Sequence, residues 1–405
     1  MDSQRRRHWG PLLHIENRCV ADKITPVMPL PSAVVHRLQR GLTVAVVTMF
    51  VVTGCRQPAP PTPPVEELAW TRIALADGTV PSSLASAGPR LLVGGRSSVQ
   101  GNHPVLFQVG TTGVVRPIPL RPNSPYAKVA DLSSLASDGT RIFALGEAHG
   151  GAHANFRWTT WSGSVKALTE RPQAFETFGG ISAGSLLDIV ATTDGPLIAG
   201  SWSATDGRGL DAAVWLARGQ TWQRQESTGG ALANRDELQV APRAASANGS
   251  TMIITGSVIT FGDGVHQSAA TWTWPSRDAP WRLTRLPDPG GRSEAFSSAC
   301  TDQCWVAGYV DGQVAVWRTG PGDAARDTTV PQTPIDVDGP GPRMIMLAGR
   351  PGVLFSHTGV SRLLLQDGSG WRTLTAPDGS MRDAVVIGNR LYAIVGADLW
   401  LAEPG

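Results

Sequence analysis

Charge is scarce in this chain: Asp, Glu, Lys and Arg make up 17% of its 405 residues, and only three of the cations are lysines. The formal charge of +2 comes from residues 1–54, where basic residues outnumber acidic ones. From Cys55 onward the balance is slightly acidic, with no long basic run. That excludes nucleic acid as a general partner, because phosphate neutralisation needs a clustered cationic surface. Long apolar runs are also missing. The longest, Leu42–Val52, is too short to span a bilayer core that needs about 20 residues. There is no phosphate-binding loop, no dinucleotide glycine fingerprint and no nucleophile elbow, so no cofactor is expected. The double glycine of kelch repeats occurs at Gly94-Gly95 but not at the matching place in the other units, and the Trp-Asp signature is not repeated.

What the chain does have is glycine and proline, 46 and 31 residues. That composition suits many short strands joined by turns, and the 41% apolar content is enough for a core.

The apolar run Leu42–Val52 is preceded by His36, Arg37 and Arg40 and followed by Gly54-Cys55. A cationic segment, a short apolar segment and small residues make a secretory signal. The ending Val52-Thr53-Gly54-Cys55 resembles the lipobox of bacterial lipoproteins, with Val and Thr at positions where Leu and Ala or Ser are commoner. The resemblance implies that Cys55 carries the lipid and anchors the chain on the extracytoplasmic side of a cell membrane. Residues 28–54 then form the signal peptide. Residues 1–27 read as an upstream start, with Met28 as initiator. Residues 55–65 form a proline-rich, extended linker, and residues 66–405 form the folded domain.

That domain repeats. Turn-plus-strand segments recur as AGPRLLVGG, SDGTRIFALG, TDGPLIAG, ANGSTMIITG, TDQCWVAG, RPGVLFSHTG and IGNRLYAIVG. Their closing glycines are Gly94, Gly146, Gly200, Gly256, Gly308, Gly359 and Gly396. Asp-Gly and Asn-Gly between apolar runs predict tight hairpins. The next strand in each unit tends to end in an aromatic residue: Phe107, Trp158, Trp215, Trp272, Trp317 or Trp400. A fourth strand opens with tryptophan in TWQRQES, PWRLTRL and GWRTLTA. Four short strands per unit predict an all-β, seven-bladed β-propeller of four-stranded antiparallel blades. The seventh unit stops after its third strand, and AWTRIAL (69–75) matches the missing fourth. An N-terminal strand therefore completes the last blade and leaves no open seam. The competing architecture, a row of β-sandwiches, gives no reason for that stray strand.

Cys300 and Cys304 flank the first turn of unit five and are expected to form a disulfide outside the cytoplasm. Polar and aromatic residues gather in or beside the loops between second and third strands: His103, Glu147, His149, His153, Trp202, Asp206, Arg208, Asp211, Asp263, His266 and Tyr309. These form the expected binding face. Glu147, His149 and His153 have ligand types for a divalent metal, but a glycine-rich loop gives nothing rigid to fix their spacing. No metal site is assigned, nor any catalytic residue. Aromatic rings beside carboxylates can stack on sugars or anchor a protein.

Sialidase-like propellers offer an enzymatic alternative. Gly219-Gln220-Thr221-Trp222 is similar to the second half of their Asp-box turn, with Ala217 where the Asp belongs. Asp367-Gly368-Ser369-Gly370-Trp371 is similar but one residue short. The leading expectation is an envelope lipoprotein whose propeller binds a protein, glycan or cell-wall partner. The alternative is a glycan hydrolase or lyase working from the same face.

Overall fold

The computed structural model describes residues 64–405 except 100, 151–155, 278, 289, 321–322 and 404–405. The expected signal, Cys55 and most of the proline-rich linker lie outside the described residues.

Seven sheets follow one another along the chain, each antiparallel through its four main strands. The innermost strands are Thr79–Ala87, Asp131–Ser137, Ala183–Thr192, Leu238–Asn248, Ser293–Cys300, Arg343–Leu347 and Met381–Ile387, in blades one to seven. Seven apolar clusters separate them, one between each pair of neighbouring blades, including the pair formed by blades seven and one. The domain is a closed seven-bladed β-propeller whose core is divided among the interfaces.

The closing strand lies where its tryptophan predicts. Trp70–Ile73 pairs antiparallel with Asp398–Ala402, Trp70 opposite Ala402. The indole N–H of Trp70 donates to the Thr375 carbonyl of blade six at 2.9 Å. The fourth-strand tryptophans Trp222, Trp281 and Trp371 also donate to the preceding blade, to Thr160, Gln225 and Asp327. Sequence likeness here reflects one repeated donor, the fourth-strand indole, whose acceptor on the preceding blade is a backbone carbonyl for Trp70 and a side-chain oxygen for the others. Two short additions are not visible in the repeat. Val65–Glu66 pairs in parallel with the fourth strand of blade six, and Leu120–Arg121 does the same in blade two.

The recurrent tryptophan of the third strand has the same logic. Trp215, Trp272 and Trp317 are fully buried, and each donates its indole N–H to a carbonyl of the preceding interblade connection, at Thr177, Ala231 and Pro287. The register puts Trp161 of blade two at this position, opposite Glu170 as Trp215 is opposite Arg224. Trp158, the residue expected there, lies three residues earlier and is half-buried.

Three of the closing glycines, Gly200, Gly256 and Gly308, face the backbone of the innermost strand, and in blade one the glycine in that place is Gly95 and not Gly94. Six innermost strands carry a bulge at one level, centred on Ser82, Ser133, Leu187, Arg243, Phe296 and Arg382. The bulged backbone presses on the second strand. A Cβ on Gly256 would meet the Ala241 carbonyl oxygen at 2.1 Å, and one on Gly308 that of Glu294 at 2.0 Å. Gly359 and Gly396 are different: they sit at positive φ in two-residue turns of blades six and seven. Their strands end in the same residue for conformational reasons.

In four blades, three of them bulged, the preceding blade supplies an acceptor for a backbone N–H of the innermost strand. Ile189 donates to the Ser134 hydroxyl at 3.1 Å, Ala245 to Asp188 at 2.7 Å, Met344 to Ser297 at 2.7 Å and Leu84 to Asp383 at 2.7 Å. The last of these ties blade seven to blade one. Buried backbone donors need such partners, and here they join the ring.

Candidate binding face

Innermost strands start at one end of the ring, and each following strand reverses direction. The loops between second and third strands therefore share that end with the interblade connections. This upper face is uneven. The second-to-third loops span 98–102 in blade one, 150–155 in blade two, 204–209 in blade three and 262–264 in blade four. In blades five, six and seven they are the two-residue turns 311–312, 358–359 and 396–397. Exposed apolar side chains follow the long loops: Val99, Phe156, Leu210, Phe261 and Val265, with Phe175 and Ile181 on the connection from blade two to three.

The expected binding residues divide into three groups. His103, Asp206, Arg208, Asp263 and His266 are exposed on this half. Arg208 bridges Asp206 at 2.6 Å and Asp236 at 2.8 Å, and His266 lies 3.4 Å from Asp263. Exposed pairs of this kind add little stability, so they are available for contacts. His149 lies against Phe156, with ring centroids 4.3 Å apart. Trp202 is half-buried, edge-on to Trp215 and covered by the Arg224 guanidinium.

Asp211 and Tyr309 are instead buried. Asp211 accepts from the Ser227 hydroxyl and the Asn234 N–H, both at 2.8 Å, and so holds the connection to blade four. Tyr309 packs in the core between blades five and six, and its hydroxyl is 3.3 Å from Glu294. Burial, then the Glu294 carboxylate, raises its pKa above the ordinary phenol value. His153 lies outside the described residues. Among the described residues no three metal-ligating side chains converge. Cys300 and Cys304 form a disulfide across the first hairpin of blade five.

Charged residues of the innermost strands were not singled out by the sequence. Arg343 meets Asp383 at 3.0 Å, and Asp188 acts on both from blade three. Blades three and six lie across the ring, so these groups meet near its axis. Glu294, 4% exposed, accepts from Arg243 at 2.5 Å, while the Arg243 guanidinium covers the Phe296 ring. Their signal was a charge inside a strand otherwise built of small and apolar residues.

Glu147 has a partner the sequence did not name. Asp131 stands directly opposite it in the neighbouring strand. Burial raises the Asp131 pKa, despite a hydrogen bond from Ser82 and the nearby Arg96 and Arg382 cations. Burial, followed by the Asp131 charge, raises that of Glu147, and His149 offsets part of the effect. Two facing carboxyls that both hold their protons more tightly are chemically distinctive.

No family model matches the chain, and no curated protein matches it. Solved structures share the fold. A structure of YCF48 bound to D1 peptide is 12% identical, with a TM-score of 0.50, covering 85% of this chain and all of that one. YCF48 from Cyanidioschyzon merolae is 11% identical, TM-score 0.52, covering 83% and 99%. The β-propeller domain of the Trilobed protease from Pyrococcus furiosus is 8% identical, TM-score 0.50, covering 82% and 95%. At such identities the likeness is one of fold.

Proposed function

We propose that this chain is a lipid-anchored protein of the bacterial cell envelope whose propeller binds a protein or glycan partner through the upper face of blades one to four. The observation that carries the reading is the uneven face: longer loops on four consecutive blades, with exposed apolar side chains in or beside them, and minimal turns on three. Exposed apolar groups that recur on one side of a rim mark contact surfaces. Propellers host unrelated activities, so the argument rests on this surface and not on the fold. A protein partner is supported by the YCF48 structure, in which the same fold holds a peptide. The anchor is supported by the signal-like run, the Val52-Thr53-Gly54-Cys55 ending and the proline-rich segment after it.

Two measurements test the reading. Cys55→Ser should move the protein from the membrane fraction to the soluble one. Converting Leu210, Phe261 and Val265 together to Ser should leave the thermal midpoint unchanged and abolish binding to cell-wall fragments or to an envelope protein recovered by crosslinking. Retained binding in that variant removes the proposed face.

The facing carboxyls Asp131 and Glu147 favour a second reading, hydrolysis of a glycan, which requires two placed carboxyl groups with separated roles. In that case glycan fragments are cleaved, and Glu147→Gln stops turnover while binding survives.

A further inference from the structure

The outer edge of each third strand is a hazard, because the fourth strand is shorter than the third in blades one to five and leaves N–H and C=O groups unpaired. The position three residues before the recurrent aromatic shows how each blade answers. In blade three, Ala212 donates its N–H to the Leu232 carbonyl at 3.0 Å. In blade five, Val314 donates to Thr333 at 2.8 Å. In blade four, Ala269 donates to the Ser293 hydroxyl at 2.8 Å. Blade one has Pro104 there, which has no N–H to satisfy.

Blade two has Trp158. Its carbonyl and N–H face the outer edge, because the Thr160 carbonyl two residues on accepts from Arg171 on that side at 2.7 Å, and alternate residues present their backbone groups to the same edge. Among the described residues nothing accepts the Trp158 N–H. The edge opens into a cavity of about 220 Å³ lined by Phe156, Arg157, Trp158, Phe175 and Gln173, with Glu170 in its wall, where that carboxylate accepts from the Asn123 and Ser124 N–H groups and the Ser124 hydroxyl. Arg157 has no carboxylate within ion-pair distance among the described residues. Its guanidinium is held over the rings of Tyr126 and Phe175, 5.7 and 5.1 Å from their centroids. A guanidinium lying over ring faces with no ion-pair partner among the described residues can offer its N–H fork to a carboxylate.

The geometry points to a peptide-binding slot on blade two, in which an extended, acidic segment of a protein partner pairs with the Trp158 edge and places a carboxylate on Arg157. The peptide backbone answers the unpaired N–H, as in other strand-addition complexes. Its acidic side chain answers the unpartnered cation, and its apolar side chains rest on Phe156 and Phe175. This deepens the scaffold reading and rests on it for the existence of a protein partner.

The test uses the full chain in mild detergent. Hydrogen exchange first compares two backbone amides of the free protein. Trp158 is expected to exchange at least about tenfold faster than Ala212, whose hydrogen bond must open first. A phage-displayed library of peptides of about seven residues, a common strand length, is then selected on the protein. Enriched peptides should carry Asp or Glu and slow exchange at Trp158. They should bind Arg157→Ala at least about tenfold more weakly, the loss expected for a charge-assisted hydrogen bond. Arg157→Lys keeps the charge without the fork and should lose most of that affinity if Arg157→Ala folds poorly.

A Trp158 amide as protected as that of Ala212 overturns the slot. So does an enriched set that binds Arg157→Ala unchanged, or a selection that enriches nothing. The two readings fail separately. If cell-wall or envelope-protein binding is lost in the Leu210, Phe261 and Val265 variant but kept in Arg157→Ala, the slot falls and the scaffold stands. If neither variant affects it, the scaffold face falls as well.

Discussion

Blades one to four and blades five to seven are built on the same four-strand plan and differ at one end. In the second group the chain turns between second and third strands in two residues. Asp311-Gly312 and Thr358-Gly359 do so with positive φ at both positions, including the non-glycine first residue. Such turns fit the twist of a hairpin and present almost nothing to a partner. In the first group the same junction takes three to six residues and carries side chains such as Val265, 73% exposed. Beneath the loops the halves are alike: the tryptophan-to-carbonyl bond recurs at Trp215 and Trp272 on one side and at Trp317 on the other. The interior is therefore specified by the ring, and the upper surface is free to differ from blade to blade. That division locates stability in the shared interior and recognition in the unequal loops.

The largest effect that would sharpen this comparison comes from the interior of the short-turn half. Trp317→Ala removes a fully buried indole and should cost about 3–5 kcal/mol in a denaturant melt. Phe261→Ala, on the long-loop half, should shift the same melt by less than about 0.5 kcal/mol. Equal losses would mean that the loops belong to the core. A smaller effect is expected for Gly308→Ala. The added Cβ lies 2.0 Å from the Glu294 carbonyl oxygen and 2.9 Å from the Ala295 Cα, so the bulge must shift, at about 2–3 kcal/mol. Gly110→Ala, where the nearest atom is 3.9 Å away, serves as its control. A tolerated Gly308→Ala would show that the bulge is soft.

The smallest effect concerns Glu147 and follows pH. Its carboxyl is held above the ordinary value, so the folded protein keeps this proton longer than the unfolded chain does. Linkage then makes stability fall as pH rises through the folded pKa, while below the ordinary carboxylate value of about 4 there is no penalty. Glu147→Gln removes the ionisation. It should raise the thermal midpoint slightly at pH 7, with the gain vanishing towards pH 4. A gain that grows as pH falls would contradict the assignment of burial and Asp131 as the cause.

The blades were legible because strand periodicity and hairpin chemistry are local. Asp-Gly and Asn-Gly turns, buried alternation and a tryptophan at a fixed place in the hairpin need no knowledge of distant chain. The closing strand was legible for the same reason: Trp70, like Trp222, Trp281 and Trp371, donates its indole N–H to the preceding blade. Local likeness failed where two residues of one type compete, so Trp158 was read in place of Trp161. It failed again at Gly359 and Gly396, because a glycine needed for positive φ and one needed for close approach look alike in a sequence. Asp211 and Tyr309 read as loop residues, yet the connections fold over them and bury both.

By itself the sequence determined seven units, their strand order, the N-terminal closure and the disulfide between Cys300 and Cys304. Only the tertiary structure decided that Asp188, Arg343 and Asp383 meet near the axis, that Asp131 faces Glu147, and that among the described residues nothing pairs with the Trp158 N–H beside Arg157. The physical reason is the same throughout. Hairpins form between neighbours in the chain, where residue type and spacing suffice. Pairings across the ring, and the paths of the connections over each blade edge, depend on how all seven blades pack once the circle closes.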